Sequence, residues 1–282
     1  MFPYIGGKAH HVRWMDPLFP SKCDTFVEVF GGAGWVTIKS SVVERSVTKV
    51  YNDFNPLLAN VYECFRKDPI AVLDAMNATP KSVTDLYHKY QKELFVDMDW
   101  DDIQLGDIDL AVKYLYLQTQ VFAGTPLSAT NVPYFVDVKC GGKYPSKWDT
   151  LRKKLSTTSI QRKLKSITVV ENIDCEDLIC KYDSPTTFFY VDPPYYGMEF
   201  YYSKDFPREK HYSLAETLYN ISGKFALSYY NFDNLQELYP VNEFKWHNQS
   251  VYRSASTRSS VINTGDTYKN SSRGNEILIM NY

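Results

Sequence analysis

The sequence predicts an α/β fold: a mostly parallel sheet interrupted by a long helical insertion. Three observations carry this. The first sixty residues run strand, glycine-rich turn, helix, strand; helical stretches then dominate to about residue 165; strand-like runs return at 166–171, 187–191, 225–229 and 276–280. Strands alternating with helices build a parallel sheet. The halves of that sheet are therefore expected from residues 1–56 and 166–282, with residues 57–165 forming an inserted, mostly helical domain.

Each element follows from its residues. Thr25-Phe26-Val27-Glu28-Val29-Phe30 is a short apolar run that ends in Gly31-Gly32-Ala33-Gly34. A helix-compatible stretch follows over 35–43, and a second strand over 46–51 closes at Asn52-Asp53. Helices are expected over 57–65 and 110–122, before an irregular segment rich in Gly, Pro and Asn. The run Thr186-Thr187-Phe188-Phe189-Tyr190-Val191 leads into Asp192-Pro193-Pro194-Tyr195, which places that turn at the carboxyl edge of the sheet.

Composition bounds the function. With 282 residues, 44% hydrophobic and 23% charged, the chain is expected to be a soluble protein with a sizeable core. No apolar run approaches the length of a membrane helix, and the N-terminus lacks a basic region followed by an apolar one, so a membrane or secreted location is disfavoured and the cytoplasm is expected. Cys23, Cys64, Cys140, Cys175 and Cys180 form no CxxC pair and read as reduced thiols. His10 and His11 are adjacent and cannot share a face, so no metal is expected.

A net charge of −2 argues against a nucleic-acid partner until the charge is located. Seven acidic residues and no basic one lie between Glu93 and Asp109, whereas eight basic residues (Lys143, Lys147, Arg152, Lys153, Lys154, Arg162, Lys163, Lys165) face only Asp149 over 143–166. A stripe that holds a phosphate backbone and a solvated helix face both fit this run. The segment 253–273, with Arg253, Arg258, Lys269 and Arg273 against Asp266, suits phosphate contacts or forms a flexible surface loop before the last strand.

Two motifs carry chemistry. The glycine turn lets a backbone approach a ligand, and Asp53, about twenty positions on, is placed for ribose hydroxyls. Thr37 stands where the dinucleotide fingerprint needs a third glycine, which disfavours a nicotinamide cofactor. Tight strand-to-helix packing alone would also use such a turn. At Asp192, the carboxylate and the Pro193 carbonyl can each accept one N–H bond from an amine conjugated with a ring, aiming its lone pair at an incoming methyl group. The two prolines stiffen both acceptors in advance, and Tyr195 can stack on the base. A Pro-Pro loop after a buried strand is the plainer alternative.

Taken together, these residues resemble the Dam-like (D12 class) DNA adenine-N6 methyltransferases. Tyr4-Ile5-Gly6-Gly7-Lys8 is similar to that family's aromatic-x-Gly-Gly-Lys element, residues 26–34 to its cofactor loop with Val29 where proline is frequent, Tyr51-Asn52-Asp53-Phe54-Asn55 to its second cofactor element, and Asn172-Ile173-Asp174-Cys175 to its third. Asp192-Pro193-Pro194-Tyr195 and residues 223–230 complete the series.

The resemblance implies a Rossmann-like sheet that uses S-adenosyl-L-methionine, with cofactor contacts from Tyr4, Lys8, Phe30, Gly32, Gly34, Asp53, Asp174, Cys175 and Asp192. It implies a target adenine flipped out of double-stranded DNA into the pocket of Asp192, Pro193, Pro194 and Tyr195, and an inserted segment that recognises DNA. Asn131 and Pro133 fall in a segment similar to the family's Asn-Val-Pro-aromatic hairpin, with Val136 where glycine is common. Lys143, Lys147, Arg152, Lys153, Arg253 and Arg258 are then expected to meet DNA. A monomer is expected. Transfer to cytosine N4, RNA adenine or a glutamine amide, and DNA binding without catalysis, are the competing functions.

Overall fold

The computed structural model describes residues 1–197, 206–252 and 273–282. Its centre is a seven-stranded sheet in the order β3-β2-β1-β4-β5-β7-β6. The strands are β1 Thr25–Glu28, β2 Thr48–Asn52, β3 Val169–Glu171, β4 Thr187–Val191, β5 Lys224–Tyr230, β6 Lys245–Tyr252 and β7 Arg273–Met280. β1 to β5 pair in parallel, and β7 runs against both β5 and β6. Every residue of β4 is buried, because helices cover both faces; a strand so placed needs a continuous apolar run rather than alternation.

The strand order creates the site. β1 pairs with β2 on one side and with β4 on the other. The chain therefore leaves β1 in one direction and resumes on its far side at β4, and the loops after these two strands diverge to leave a crevice. On one face of the sheet, helices Cys175–Tyr182 and Arg208–Asn220 pack over Val27, Phe189 and Leu227. On the other, residues 12–43 cover Phe26, Phe188 and Ala226.

The region 57–165 is helical, with Pro56–Lys67, Pro69–Ala78, Thr84–Lys92, Ile108–Thr119, Lys147–Leu155 and Thr158–Lys165 as its main elements. Its core residues Leu57, Tyr62, Leu115, Trp148 and Leu164 belong to the same buried cluster as Tyr51 and Ala33, so its helices also roof part of the sheet. Side-chain caps set the helix starts: Asn55 accepts from Leu57 N at 3.0 Å, and Asp107 from Leu110 N at 3.0 Å.

Two elements depart from the sequence expectation. The helix expected over 35–43 is split at Ser40 into Trp35–Lys39 and Ser41–Arg45. Asp16 causes the break, since its Oδ1 accepts from the Ser40 hydroxyl at 2.5 Å and from Ser41 N at 2.8 Å, capping the second piece. β6 was not anticipated, because Lys-Trp-His-Asn-Gln-Ser-Val-Tyr has no apolar alternation. Among the described residues it is an edge strand paired only with β7, where polar side chains are tolerated.

Candidate active site

The crevice holds an open pocket of about 1000 Å³. Its walls come from the N-terminal loop (Tyr4 to Lys8), the turn after β1, the ends of β2 and β4, and residues 173–175.

The turn after β1 is keyed in place by two tyrosines. A Cβ on Gly31 would lie 2.1 Å from the Tyr51 ring, and one on Gly34 would lie 2.3 Å from the Tyr62 hydroxyl. These two rings stack at 3.8 Å, and Tyr51 also donates to Gly32 O at 2.8 Å. Gly34, with φ +61, meets the helical region behind the turn and does not line the pocket. Gly32 does line it, at φ +49, with the Tyr4 ring 3.1 Å from where a Cβ would stand.

Asp53 ties the end of β2 to this turn. Its carboxylate accepts from Gly32 N at 2.8 Å and from Asn55 N at 2.9 Å. Burial raises its pKa to about 6, and these two N–H groups oppose a further rise. Each oxygen retains a second lone pair for a ligand hydroxyl. Glu28, at the end of β1, also faces the pocket and was not singled out from the sequence. It accepts from Thr37 N at 3.0 Å and from the Thr37 hydroxyl, while burial pushes its pKa up to about 8. Thr37, which breaks the dinucleotide fingerprint, is thus the partner of a buried acid.

Asp192 closes the opposite wall, with 15% of its side chain exposed and its Oδ1 2.8 Å from Lys8 Nζ. Lys8 also donates to the Tyr195 hydroxyl at 2.7 Å and to Gly6 O at 3.0 Å. Burial alone would lower the Lys8 pKa, but the carboxylates of Asp192 and Glu276 outweigh it and hold the ammonium above its ordinary range. For Asp192, burial and then Glu276 raise the pKa against the pull of Lys8, to about 6. Tyr195 passes its own proton toward Glu276 at 2.6 Å and lies 4.5 Å, centroid to centroid, from Tyr230. Pro194 lines the pocket, whereas Pro193 and Tyr195 flank it.

Phe30, Asp174 and Cys175 complete the pocket as a group. Phe30 packs edge-on against Phe206 at 5.6 Å. Asp174 caps the helix Cys175–Tyr182 and pairs with Lys210 at 2.8 Å, and Lys210 also reaches Glu176 at 3.2 Å. Burial pushes the Cys175 thiol up to about 12, which leaves it inert as a nucleophile. Glu276 and Lys210 were missed in the sequence. A faint signal for Glu276 was available, since it is the one charge heading an otherwise apolar run, Ile277-Leu278-Ile279-Met280.

The residues expected at DNA lie elsewhere. Lys143, Lys147, Lys153, Arg162 and Lys165 are exposed. Three other members of the basic stripe have partners in the protein: Arg152 binds Asp149 at 2.6 Å, Lys154 binds Met1 O at 2.9 Å, and Lys163 binds Ile38 O at 2.9 Å. Asn131 shapes its own loop, accepting from Ser128 N at 2.5 Å, and Pro133 is half-buried two residues on. Arg253 and Arg258 lie outside the described residues.

A seven-stranded, mostly parallel sheet of this order fits a methyltransferase fold. The chain belongs to the D12 class N6 adenine-specific DNA methyltransferase family, whose model matches residues 4–255. It is accordingly an enzyme that methylates adenine N6 in DNA. No curated protein matches the chain. No helix among the described residues is long and apolar enough to cross a membrane.

Proposed function

We propose that the pocket binds S-adenosyl-L-methionine and that the target adenine, swung out of the duplex, meets it at Asp192. The observation that carries this reading is that Asp53 and Asp192, from opposite sides of the switch point, border one pocket. The donor set fits the ligand: carboxylates of Asp53, Asp174 and Asp192, with the carboxyl of Glu28, face Lys8 and Lys210 there, an acidic surround suited to a ligand with a sulfonium and an ammonium group. Asp53 would hold the ribose hydroxyls, with Tyr4, Phe30, Gly32, Asp174 and Cys175 around the nucleoside, while Gly34 supports the turn from behind.

When bound, S-adenosyl-L-methionine supplies an activated methyl group whose bond electrons stay with sulfur. The protein's part is orientation and proton handling. Asp192 and the Pro193 carbonyl accept the two N–H bonds of the adenine amine, drawing its lone pair out of the ring and toward the methyl carbon. As the N–C bond forms, the nitrogen must shed a proton, and the Asp192 carboxylate is placed to take it. Tyr195 offers its ring face to the base.

The region 57–165 serves in this reading as the DNA-recognition domain, with Asn131 and Pro133 in its recognition hairpin. The exposed Lys143, Lys147, Lys153, Arg162 and Lys165 meet phosphates, joined by Arg152 when Asp149 releases it, and by Arg253 and Arg258. The five exposed residues alone predict a log–log salt slope of about −4 to −5 for DNA binding, and all eight contacts about −7. A slope near zero would remove the stripe from the interface.

The function itself is tested by incubating the enzyme with methyl-labelled S-adenosyl-L-methionine and unmodified duplex DNA, then separating the nucleosides. Label is expected in N6-methyladenine. Label in N4-methylcytosine would reject the assigned chemistry at Asp192.

A further inference from the structure

We infer that Glu276 is a positioning residue for methyl transfer: from β7 it anchors Tyr195 and Lys8, and through them it aims the Asp192 carboxylate. The inference rests on the role proposed for Asp192. Glu276 is 1% exposed and stands in register between Tyr230 of β5 and Gln249 of β6. Its Oε1 accepts from the Tyr195 hydroxyl at 2.6 Å and from the Ser228 hydroxyl, with Lys8 Nζ at 3.5 Å. Lys8 then reaches Asp192 at 2.8 Å.

An ionised carboxylate at this depth is costly unless donors surround it, and an apolar side chain would serve the packing of β7 without that cost. Three donors from three distant parts of the chain converge on one oxygen instead. The result is an ammonium shared between two carboxylates. Glu276 keeps Lys8 from settling wholly on Asp192, and it pins the far end of the ring whose face Asp192's turn presents to the base.

The charged and titratable groups acting on Asp192 are Lys8 from the N-terminal loop, Glu28 from β1, Tyr190 from β4, Tyr195 from its own turn and Glu276 from β7, while Tyr230 of β5 acts on Lys8 and Tyr195. His11 also lies near Glu276 and Lys8, and burial lowers its pKa. Of the carboxylates in this set, Glu276 is the one that shares Lys8 directly with Asp192.

Two variants separate anchoring from charge. Glu276→Ala removes the acceptor and is expected to lower the single-turnover methylation rate on the order of a hundredfold, as a small misplacement of reacting groups does. Calorimetric affinity for S-adenosyl-L-methionine should stay within about threefold, since Glu276 does not line the pocket. Glu276→Gln keeps an acceptor for Tyr195 and Ser228 but removes the negative charge. It should restore most of the rate and move the acid limb of the pH–rate profile to lower pH, on the order of one unit. In the ligand-free protein, the Asp192 carboxyl, observed in isotope-labelled aspartate and assigned by its loss in Asp192→Asn, should titrate lower by the same amount.

An unmoved Asp192 titration in Glu276→Gln would overturn the inference, and it decides the matter even if Glu276→Ala does not fold. If Asp192→Ala retained turnover, the role of Asp192 itself would fall. If Asp192→Ala is inactive while both Glu276 variants keep the parent rate and titration, only the positioning role falls.

Discussion

Asp192→Ala is expected to lower methyl transfer by about a thousandfold or more while S-adenosyl-L-methionine still binds. In the role proposed for it, the carboxylate accepts a bond that strengthens as the amine nitrogen becomes tetrahedral and positively charged, so its loss acts on the transition state more than on ground-state binding. Its position after a fully buried strand, 2.8 Å from Lys8, fixes the carboxylate in place. The measurement is single-turnover transfer alongside donor calorimetry; undiminished transfer would remove Asp192 from the chemistry.

The same carboxyl sets the pH response. It must be ionised to take the amine proton and to accept a charge-assisted N–H bond, and with a pKa raised to about 6 by burial and Glu276 it loses both capacities as pH falls through 6. Activity should therefore drop on the acid side near pH 6, well above the range of an ordinary aspartate. Stability responds with the opposite sign. An aspartate whose folded pKa exceeds its unfolded one costs stability when ionised, so Asp192 and Asp53 weigh on the fold above about pH 6, and that cost is relieved as pH falls toward 4.

Asp53→Ala should weaken S-adenosyl-L-methionine binding by roughly tenfold to a hundredfold, or about 1.4–2.7 kcal/mol. The substitution removes the proposed ribose acceptor and also strands Gly32 N and Asn55 N, two donors that the carboxylate now satisfies. The turn keeps its other ties, Gly31 N to Asn52 O at 2.7 Å and Tyr51 to Gly32 O at 2.8 Å, so folded protein should be obtained. Calorimetric affinity within about twofold of the parent would argue that the ribose lies elsewhere.

Local chemistry made much of this legible in the sequence. β1, β2, β4 and β5 are apolar runs bounded by Gly, Asn or Asp, and buried parallel strands leave that mark because both faces are covered. The glycine turn, Asp53 and Asp192 were legible for the same reason, as strand-end residues whose place follows from the strand. What escaped depends on contacts between residues far apart in the chain. The break at Ser40 is made by Asp16, the edge strand β6 is defined by its pairing with β7, and Glu276 has a role only because Lys8 and Tyr195 converge on it. The basic stripe shows the same limit: its composition was plain, yet nothing local could say that Arg152, Lys154 and Lys163 bind partners within the protein.

β7 follows β6 in the chain yet inserts between β5 and β6, so the strand that carries Glu276 lies in the interior of the sheet rather than at its rim. Lys8 precedes β1 and Glu276 lies on β7, so their contact closes only when both halves of the sheet are in place. A polypeptide interrupted before β7 would have its glycine turn and its Asp192 turn, but β5 and β6 would have no strand to join them. On the role inferred for Glu276, the alignment of Asp192 is thereby tied to the insertion of β7 into the sheet.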